Sequence, residues 1–143
     1  MAKRKIFVSF DYENDRRYKF LLEAWDKNPL FEFNFADWSS QEIDSWNIPV
    51  IKAGLTRKIN ETTGTLIIIG EYANTLHKDH KLIGYRNWIN FEIAKSVENK
   101  NRLIAVKIDK SYESPEELLG RGAKWALSFT QDAIWKAVNE AYL

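Results

Sequence analysis

The chain has 143 residues, of which 45% are hydrophobic and 14% aromatic, as expected of one domain over residues 1–143 with a substantial core. Its 21 Lys and Arg against 20 Asp and Glu leave a net charge of +1, which supplies no broad basic field for nucleic acid. The absence of Cys excludes disulfides, thiolate metal sites and cysteine nucleophiles, and the lack of an apolar run of roughly 20 residues predicts a soluble, cytoplasmic protein.

Short apolar runs alternate with amphipathic stretches in the first half of the chain. Residues 6–10 and 31–35 predict strands, and the second alternates Phe with polar residues as an edge strand does. Residues 15 to about 27 carry apolar side chains at spacings of three and four, which predicts a helix. A second helix is predicted over residues 48–59, with Pro49 in its first turn.

The same alternation continues in the second half. Residues 65–70 form a near-continuous apolar run, typical of a central parallel strand, and the polar residues 71–85 predict a long loop. The remaining predicted elements are a helix that begins at Trp88, a strand at 103–108, a short helical turn at 114–117, a short strand at 125–129 and a helix at 130–142.

This alternation of strand and helix favours an α/β fold of three layers, with helices on both faces of the sheet. We predict a five-stranded, mostly parallel sheet in the order 2-1-3-4-5. In such sheets the ligand crevice lies outside the carboxyl ends of the strands, where the strand order reverses. That rule brings residues 10–12, 37–39 and 70–71 and the start of the Trp88 helix to one rim.

Several common sites are disfavoured by their missing motifs. Neither G-x-G-x-x-G nor G-x-x-x-x-G-K-[ST] occurs, and there is no G-x-S-x-G. His77 and His80 lie in a polar loop beside lysines, so we expect solvated side chains rather than a metal site. The acidic cluster of Asp11, Glu13 and Asp15 would hold Mg²⁺ in a receiver-like domain, unless Asp15 caps the first helix while Asp11 organises the turn.

Glu92 is the candidate catalytic residue. Apolar residues at a spacing of four, from Ile89 to Val97, form one stripe of the predicted helix, and Glu92 lies at the edge of that stripe. A carboxylate there is half withdrawn from water, an environment that suits contact with a substrate. The alternative is a surface acid paired with Lys95 or Lys100.

Four segments together resemble the TIR-like family. They are residues 6–15, Asp37-Trp38-Ser39, the Leu-Ile-Ile-Ile-Gly run at 66–70 and Trp88-x-x-x-Glu92. More closely, the chain is similar to the branch that includes the TIR subunit of the bacterial Thoeris antiphage system and flavodoxin-like archaeal relatives. The resemblance spans the chain from residue 6 to the last helix, and it implies a flavodoxin-like or TIR-like form of the fold.

The resemblance implies cleavage of the bond between nicotinamide and ribose in NAD⁺, with Glu92 as the catalytic glutamate. It implies that residues 10–12 form the floor near nicotinamide and its ribose, and that the segment from Asp37 to Trp46 is a mobile loop over the substrate or against a neighbour. NAD⁺ is then a substrate, and no cofactor or metal is implied. The implied substrate-binding residues are Phe10, Asp11, Tyr12, Asp37 and Trp38.

The resemblance also implies partners. Attack by water gives ADP-ribose, whereas attack by a group of the same nucleotide gives a cyclic isomer, and this product signals to a separate effector protein in phage defence. TIR sites are often completed by a second copy, so self-association is expected, without nucleic acid or membrane. Two alternatives stay open: a non-catalytic TIR-like interaction module, and a receiver-like or flavodoxin-like binding domain.

Overall fold

A parallel β-sheet forms the centre of the molecule. The computed structural model describes residues 4–28, 33–37 and 46–143, and for 33–37 the strand alone. The strands are β1 (Arg4–Ser9), β2 (Phe33–Asp37), β3 (Gly64–Ile69), β4 (Arg102–Lys107) and β5 (Lys124–Ala126). They lie in the order β2-β1-β3-β4-β5, with every neighbouring pair parallel. The predicted α/β fold with a parallel sheet is confirmed.

Helices connect the strands and cover both faces of the sheet. They are α1 (Tyr12–Asp26), α2 (Ile48–Asn60), α3 (His80–Ile83), α4 (Trp88–Glu98) and α5 (Gln131–Ala141), with a 3₁₀ turn at Glu116–Leu118. Four of these helices begin at a side chain that accepts a backbone N–H of the first turn, and these capping residues are Asp11, Asn47, Asn87 and Thr130.

The strands divide the core into two layers because successive side chains point to opposite faces. One layer joins the even-numbered residues of β1, β3 and β4, such as Ile6 and Leu66, to α1 and α5. The other layer joins the odd-numbered residues, such as Phe7 and Ile67, to α2, α3 and α4. The odd-numbered Ser9 at the end of β1 therefore points towards the α4 layer.

Helix α1 begins three residues earlier than the sequence predicts. Asp11 is its N-cap and accepts from the backbone N–H groups of Glu13 and Asn14, so the expectation that Asp15 caps the helix is wrong. Both aspartates satisfy the residue preference of a cap, but the strand ends at Ser9 and the chain turns at once into the helix. Asp15 consequently lies on the first turn, facing the sheet.

Three other boundaries differ from expectation. The predicted loop at 71–85 contains α3, which ends at Gly84 with a positive φ of 86°. Strand β5 covers Lys124–Ala126 rather than 125–129. Strand β2 begins at Phe33 within the described residues and lies at an edge of the sheet, as its alternating pattern predicts. Among the described helices, none has the length and apolar character to cross a membrane.

Candidate functional site

A cavity of about 530 Å³ opens at the carboxyl edge of the sheet, a volume within the usual range for ligand pockets. Its walls come from the β1–α1 connection at residues 10–14, from the loop after β3 at Tyr72 and 75–78, and from the start of α4 at 87–89. Strand β1 is the neighbour of β3, and their following helices cover opposite faces of the sheet. The cavity thus lies where strand order reverses, the place at which parallel α/β sheets bind ligands.

The structure brings three of the proposed substrate-binding residues together in this cavity. Phe10, Asp11 and Tyr12 all line it. Asp37 is the last residue of β2 and pairs with Val8 in the sheet, but its side chain is outside what the structure describes. Trp38 and the rest of the expected loop to residue 45 lie outside the described residues.

Glu92 is not among the residues that line the cavity. It occupies the second turn of α4, one turn after Trp88 and Ile89, which do line the cavity. Helical side chains tilt towards the N-terminus of their helix, so the carboxyl group of Glu92 extends towards that end of α4. It is 1% exposed, and the Ser9 hydroxyl donates to its Oε1 at 2.5 Å.

The burial of Glu92 determines its protonation. Desolvation raises the pKa of this carboxyl well above its usual range, and the hydrogen bond from Ser9 opposes the shift. Its Oε2 has no hydrogen-bond partner among the described residues. The expectation of a half-exposed acid at the edge of the stripe is wrong, and so is the alternative of a surface pair, since Lys95 instead bonds Glu98 at 3.0 Å.

The position of α4 is fixed by hydroxyl groups that sequence reasoning missed. Besides Ser9, the Thr65 hydroxyl of β3 lies 2.6 Å from that of Ser96, which also donates to the Glu92 carbonyl at 2.7 Å. Asn101, the residue before β4, donates to the Thr65 hydroxyl at 3.1 Å and extends the network to the start of that strand. The sequence does contain one indication of these contacts: the alternation of side chains along β1 and β3 places the hydroxyls of Ser9 and Thr65 on the sheet face that α4 covers.

Comparison with known proteins decides the family. The family profile described as Thoeris protein ThsB, TIR-like domain, matches residues 7–113, which is most of the chain. The chain belongs to the ThsB TIR-like family. The resemblance seen in the sequence is therefore confirmed. A search of curated proteins finds no match.

Two solved structures share the fold of this TIR-like domain. One is of the TIR domains in the activated Roq1 resistosome that directly recognizes the pathogen effector XopQ, at 16% identity and a TM-score of 0.50. The alignment covers 76% of this chain and 61% of that chain, so the domain spans less than two thirds of it. The other is a 2-desoxiribosyltransferase from Leishmania mexicana, at 11% identity and a TM-score of 0.58, covering 98% and 99% of the two chains.

A second buried acid of the TIR-like domain lies on the opposite face of the sheet. Asp15 is 7% exposed, and its Oδ2 has no hydrogen-bond partner among the described residues. Burial and, to a smaller extent, the charge of Asp11 raise the pKa of Asp15 to about 6, while Arg17 opposes the shift. The carboxyl group rests against Gly70, at the end of β3, where a Cβ atom would collide with it.

The acids of the TIR-like domain do not converge on one point. Both carboxylate oxygens of Asp11 accept hydrogen bonds from the start of α1. Oδ1 accepts from the backbone N–H groups of Glu13 and Asn14, and Oδ2 accepts from Asn14 Nδ2 at 2.7 Å. Within the part of the chain that the structure describes, no three His, Asp or Glu side chains are grouped to hold a metal ion. The receiver-like grouping of Asp11, Glu13 and Asp15, one of the two readings of this acidic cluster, is therefore not formed among the described residues.

Proposed function

We propose that this TIR-like domain cleaves NAD⁺ between nicotinamide and ribose, with Glu92 as the catalytic glutamate. The observation that carries the proposal is the state of Glu92, a desolvated carboxyl group that Ser9 orients and whose Oε2 has no hydrogen-bond partner among the described residues. It lies one helical turn from Trp88 and Ile89, which line a cavity of ligand size. Buried ionisable groups with raised pKa values are frequent at catalytic sites. Membership of the ThsB family supports the same activity.

The chemistry requires one carboxylate. The nicotinamide nitrogen of NAD⁺ carries a positive charge, so when its bond to ribose C1′ breaks, the electron pair returns to the ring and nicotinamide leaves neutral. The positive charge passes to the ribose, as in the oxocarbenium-like transition state of glycoside hydrolysis. A carboxylate beside the sugar stabilises this charge, holds the ribose hydroxyls and accepts the proton of an attacking water.

The product depends on which nucleophile reaches C1′. Water adds its oxygen, loses a proton and gives ADP-ribose, whereas an atom of the same nucleotide gives a cyclic isomer that lacks one water. Exclusion of water from the cavity favours the second route. We propose that the product signals to a separate effector protein in phage defence, and that a second copy of the domain helps to complete the site.

Catalysis further requires that Glu92 be uncovered and lose its proton, because burial raises the pKa of this carboxyl and favours its neutral form. Phe10 follows Ser9 in the chain, and Trp88 and Ile89 lie one turn from Glu92, so these three lining residues are the ones that must shift. The unpartnered Oε2 supports this movement, because no described hydrogen bond holds that oxygen in place. Substrate binding would then bring the carboxyl group against the ribose.

The test is release of nicotinamide from NAD⁺, measured by chromatography and mass spectrometry. Glu92→Gln should lower the rate by at least about a hundredfold, because it removes the charge that stabilises the transition state. The substitution preserves shape and still accepts from Ser9, so it should remain folded. Glu98→Gln is the matched control: it is on the same helix, exposed and paired with Lys95, and should keep the wild-type rate.

A second candidate, a non-catalytic TIR-like interaction module, is favoured by the complete burial of Glu92. It predicts that wild-type protein leaves NAD⁺ intact at high protein concentration and in extracts of phage-infected cells. If wild type and Glu92→Gln release nicotinamide at the same rate, Glu92 is not the catalytic residue. A 2′-deoxyribonucleoside belongs in the same assay, since one structural neighbour is named a 2-desoxiribosyltransferase.

A further inference from the structure

The cavity has two walls of different charge. On the β1–α1 side, Asp11 and Glu13 supply carboxylates, and on the side of the loop after β3, His77 and Lys78 supply hydrogen-bond donors. Among the described residues Lys78 has no ion-pair partner. A ligand that carries a cation at one end and an anion further along would therefore meet matching charges in only one orientation.

His77 is held as a donor by its own loop. Its backbone N–H donates to the Arg86 carbonyl at 2.8 Å, and its Nδ1 accepts from the backbone N–H of Asp79 at 2.9 Å. A nitrogen that accepts from an amide carries no proton, so the proton of the neutral ring is on Nε2. The half-buried imidazole can consequently offer Nε2–H to a group in the cavity that it lines.

The wall that carries His77 and Lys78 is fastened to α4. Asn87 Nδ2 donates to the carbonyls of Ala73 and Thr75, both at 2.9 Å, while Asn87 Oδ1 caps α4. Arg86 Nε donates to the Asn74 carbonyl at 2.6 Å. Donors that are positioned before the ligand arrives lose little conformational entropy on binding, which is the condition for a specific subsite.

We propose that His77 and Lys78 form the subsite for the diphosphate of a dinucleotide. This inference rests on the proposed function and adds an orientation to it: the diphosphate lies on the His77–Lys78 wall, and the cationic nicotinamide with its ribose lies towards Asp11 and Glu13. A lysine ammonium is a common ligand of phosphate, and a neutral imidazole N–H adds a directed hydrogen bond. The rings of Tyr12, Tyr72 and Trp88, which also line the cavity, supply flat apolar faces for the bases.

The test is a binding experiment that needs no turnover. Calorimetry would compare ADP-ribose, which has the diphosphate, with nicotinamide riboside, which has no phosphate. Lys78→Met should weaken ADP-ribose binding about tenfold, the scale of one charge-assisted contact, and change nicotinamide riboside binding by less than about twofold. It should also make ADP-ribose binding less sensitive to salt.

Lys81→Met is the matched control. Lys81 is an exposed lysine of α3 that borders a different depression and does not line the cavity. The proposal is overturned if wild type fails to bind ADP-ribose, if Lys78→Met weakens both ligands equally, or if Lys81→Met has the same effect. If wild type releases nicotinamide but Lys78→Met binds ADP-ribose as tightly as wild type, only the diphosphate subsite is wrong. If ADP-ribose binding depends on Lys78 but wild type releases no nicotinamide, only the proposed NAD⁺ cleavage is wrong.

Discussion

At the scale of single residues, two carboxyl groups, those of Glu92 and Asp15, are buried on opposite faces of the sheet, and they differ in their neighbours. Glu92 accepts a hydrogen bond from Ser9, whereas Asp15 has the like charge of Asp11 as a neighbour. Both have raised pKa values, so each is easier to bury when protonated. Keeping such groups charged at neutral pH costs stability, a cost that proteins tolerate most often at functional sites.

Asp15→Asn should make the folded protein more stable at neutral pH. The pKa of Asp15 is raised from 3.8 to about 6, so its contribution to stability is fully present below pH 3.8 and is lost as pH rises through about 6. The neutral amide removes this loss. Urea denaturation should show the variant more stable than wild type by on the order of 2 kcal/mol at neutral pH, and similar to it near pH 4.

Asp109→Asn provides a control in which the pH dependence of stability has the opposite sign. Hydrogen bonds from Ser111 lower the pKa of Asp109, so its contribution is present above pH 3.8 and is lost as pH falls. The prediction for Asp15 would be wrong if Asp15→Asn followed wild type at every pH.

At the scale of elements, the Asp15 side chain of α1 lies so close to Gly70, after β3, that a Cβ atom there requires this side chain to shift. A methyl group at Gly70 would overlap the Asp15 carboxyl group. Gly70→Ala should therefore lower the free energy of unfolding by about 2 kcal/mol, and by less than half as much in an Asp15→Ala background. Thermodynamic double-mutant cycles in urea measure this coupling.

Gly120→Ala separates steric overlap from backbone strain. Gly120 has a φ of 71°, and no atom of the described residues lies within 4 Å of a Cβ placed there, so the left-handed backbone is what disfavours alanine. Its cost should be the same with Asp15 or Ala at position 15. Additive costs of Gly70→Ala and Asp15→Ala would contradict the proposed contact.

The sequence predicts the elements better than it predicts their contacts. The apolar run of β3 and the stripe of α4 identify both elements because their patterns are local. The bond between Ser9 and Glu92 joins residues 83 positions apart, so the sequence shows neither the partner nor the depth of burial. His77 and Lys78 read as solvated polar residues, and only the bonds of Asn87 reveal that they form a wall.

At the scale of the whole molecule, the two edges of the sheet differ. The carboxyl edge carries the cavity, while the amino edge is closed by Tyr142 at the end of α5. The Tyr142 hydroxyl lies 2.9 Å from that of Thr63, and the guanidinium groups of Arg4 and Arg102 lie 4.5 and 5.0 Å from the centre of its ring. These contacts tie the end of the last helix to β1, to β4 and to Thr63, the residue before β3.

Tyr142→Phe and Tyr142→Ala should lower stability without changing ligand affinity. Phenylalanine removes the hydroxyl pair at a cost of about 1 kcal/mol, and alanine also removes the ring, at a cost of about 3 kcal/mol. Denaturation in urea gives these costs, and calorimetry with ADP-ribose should give the wild-type affinity for both. A loss of affinity as large as that of Lys78→Met would show that the two edges are not independent.

Asn87 has a consequence for any attempt to exchange specificities between relatives. One side chain ties the loop after β3 to the helix that bears Glu92. The acceptors are backbone carbonyls, so a graft that replaces only the loop keeps these hydrogen bonds only if the new loop brings its carbonyl groups to the same places. Transplanting residues 73–92 as a single cassette would carry Asn87 together with both of its acceptors and with the start of α4, and would therefore keep the tie intact.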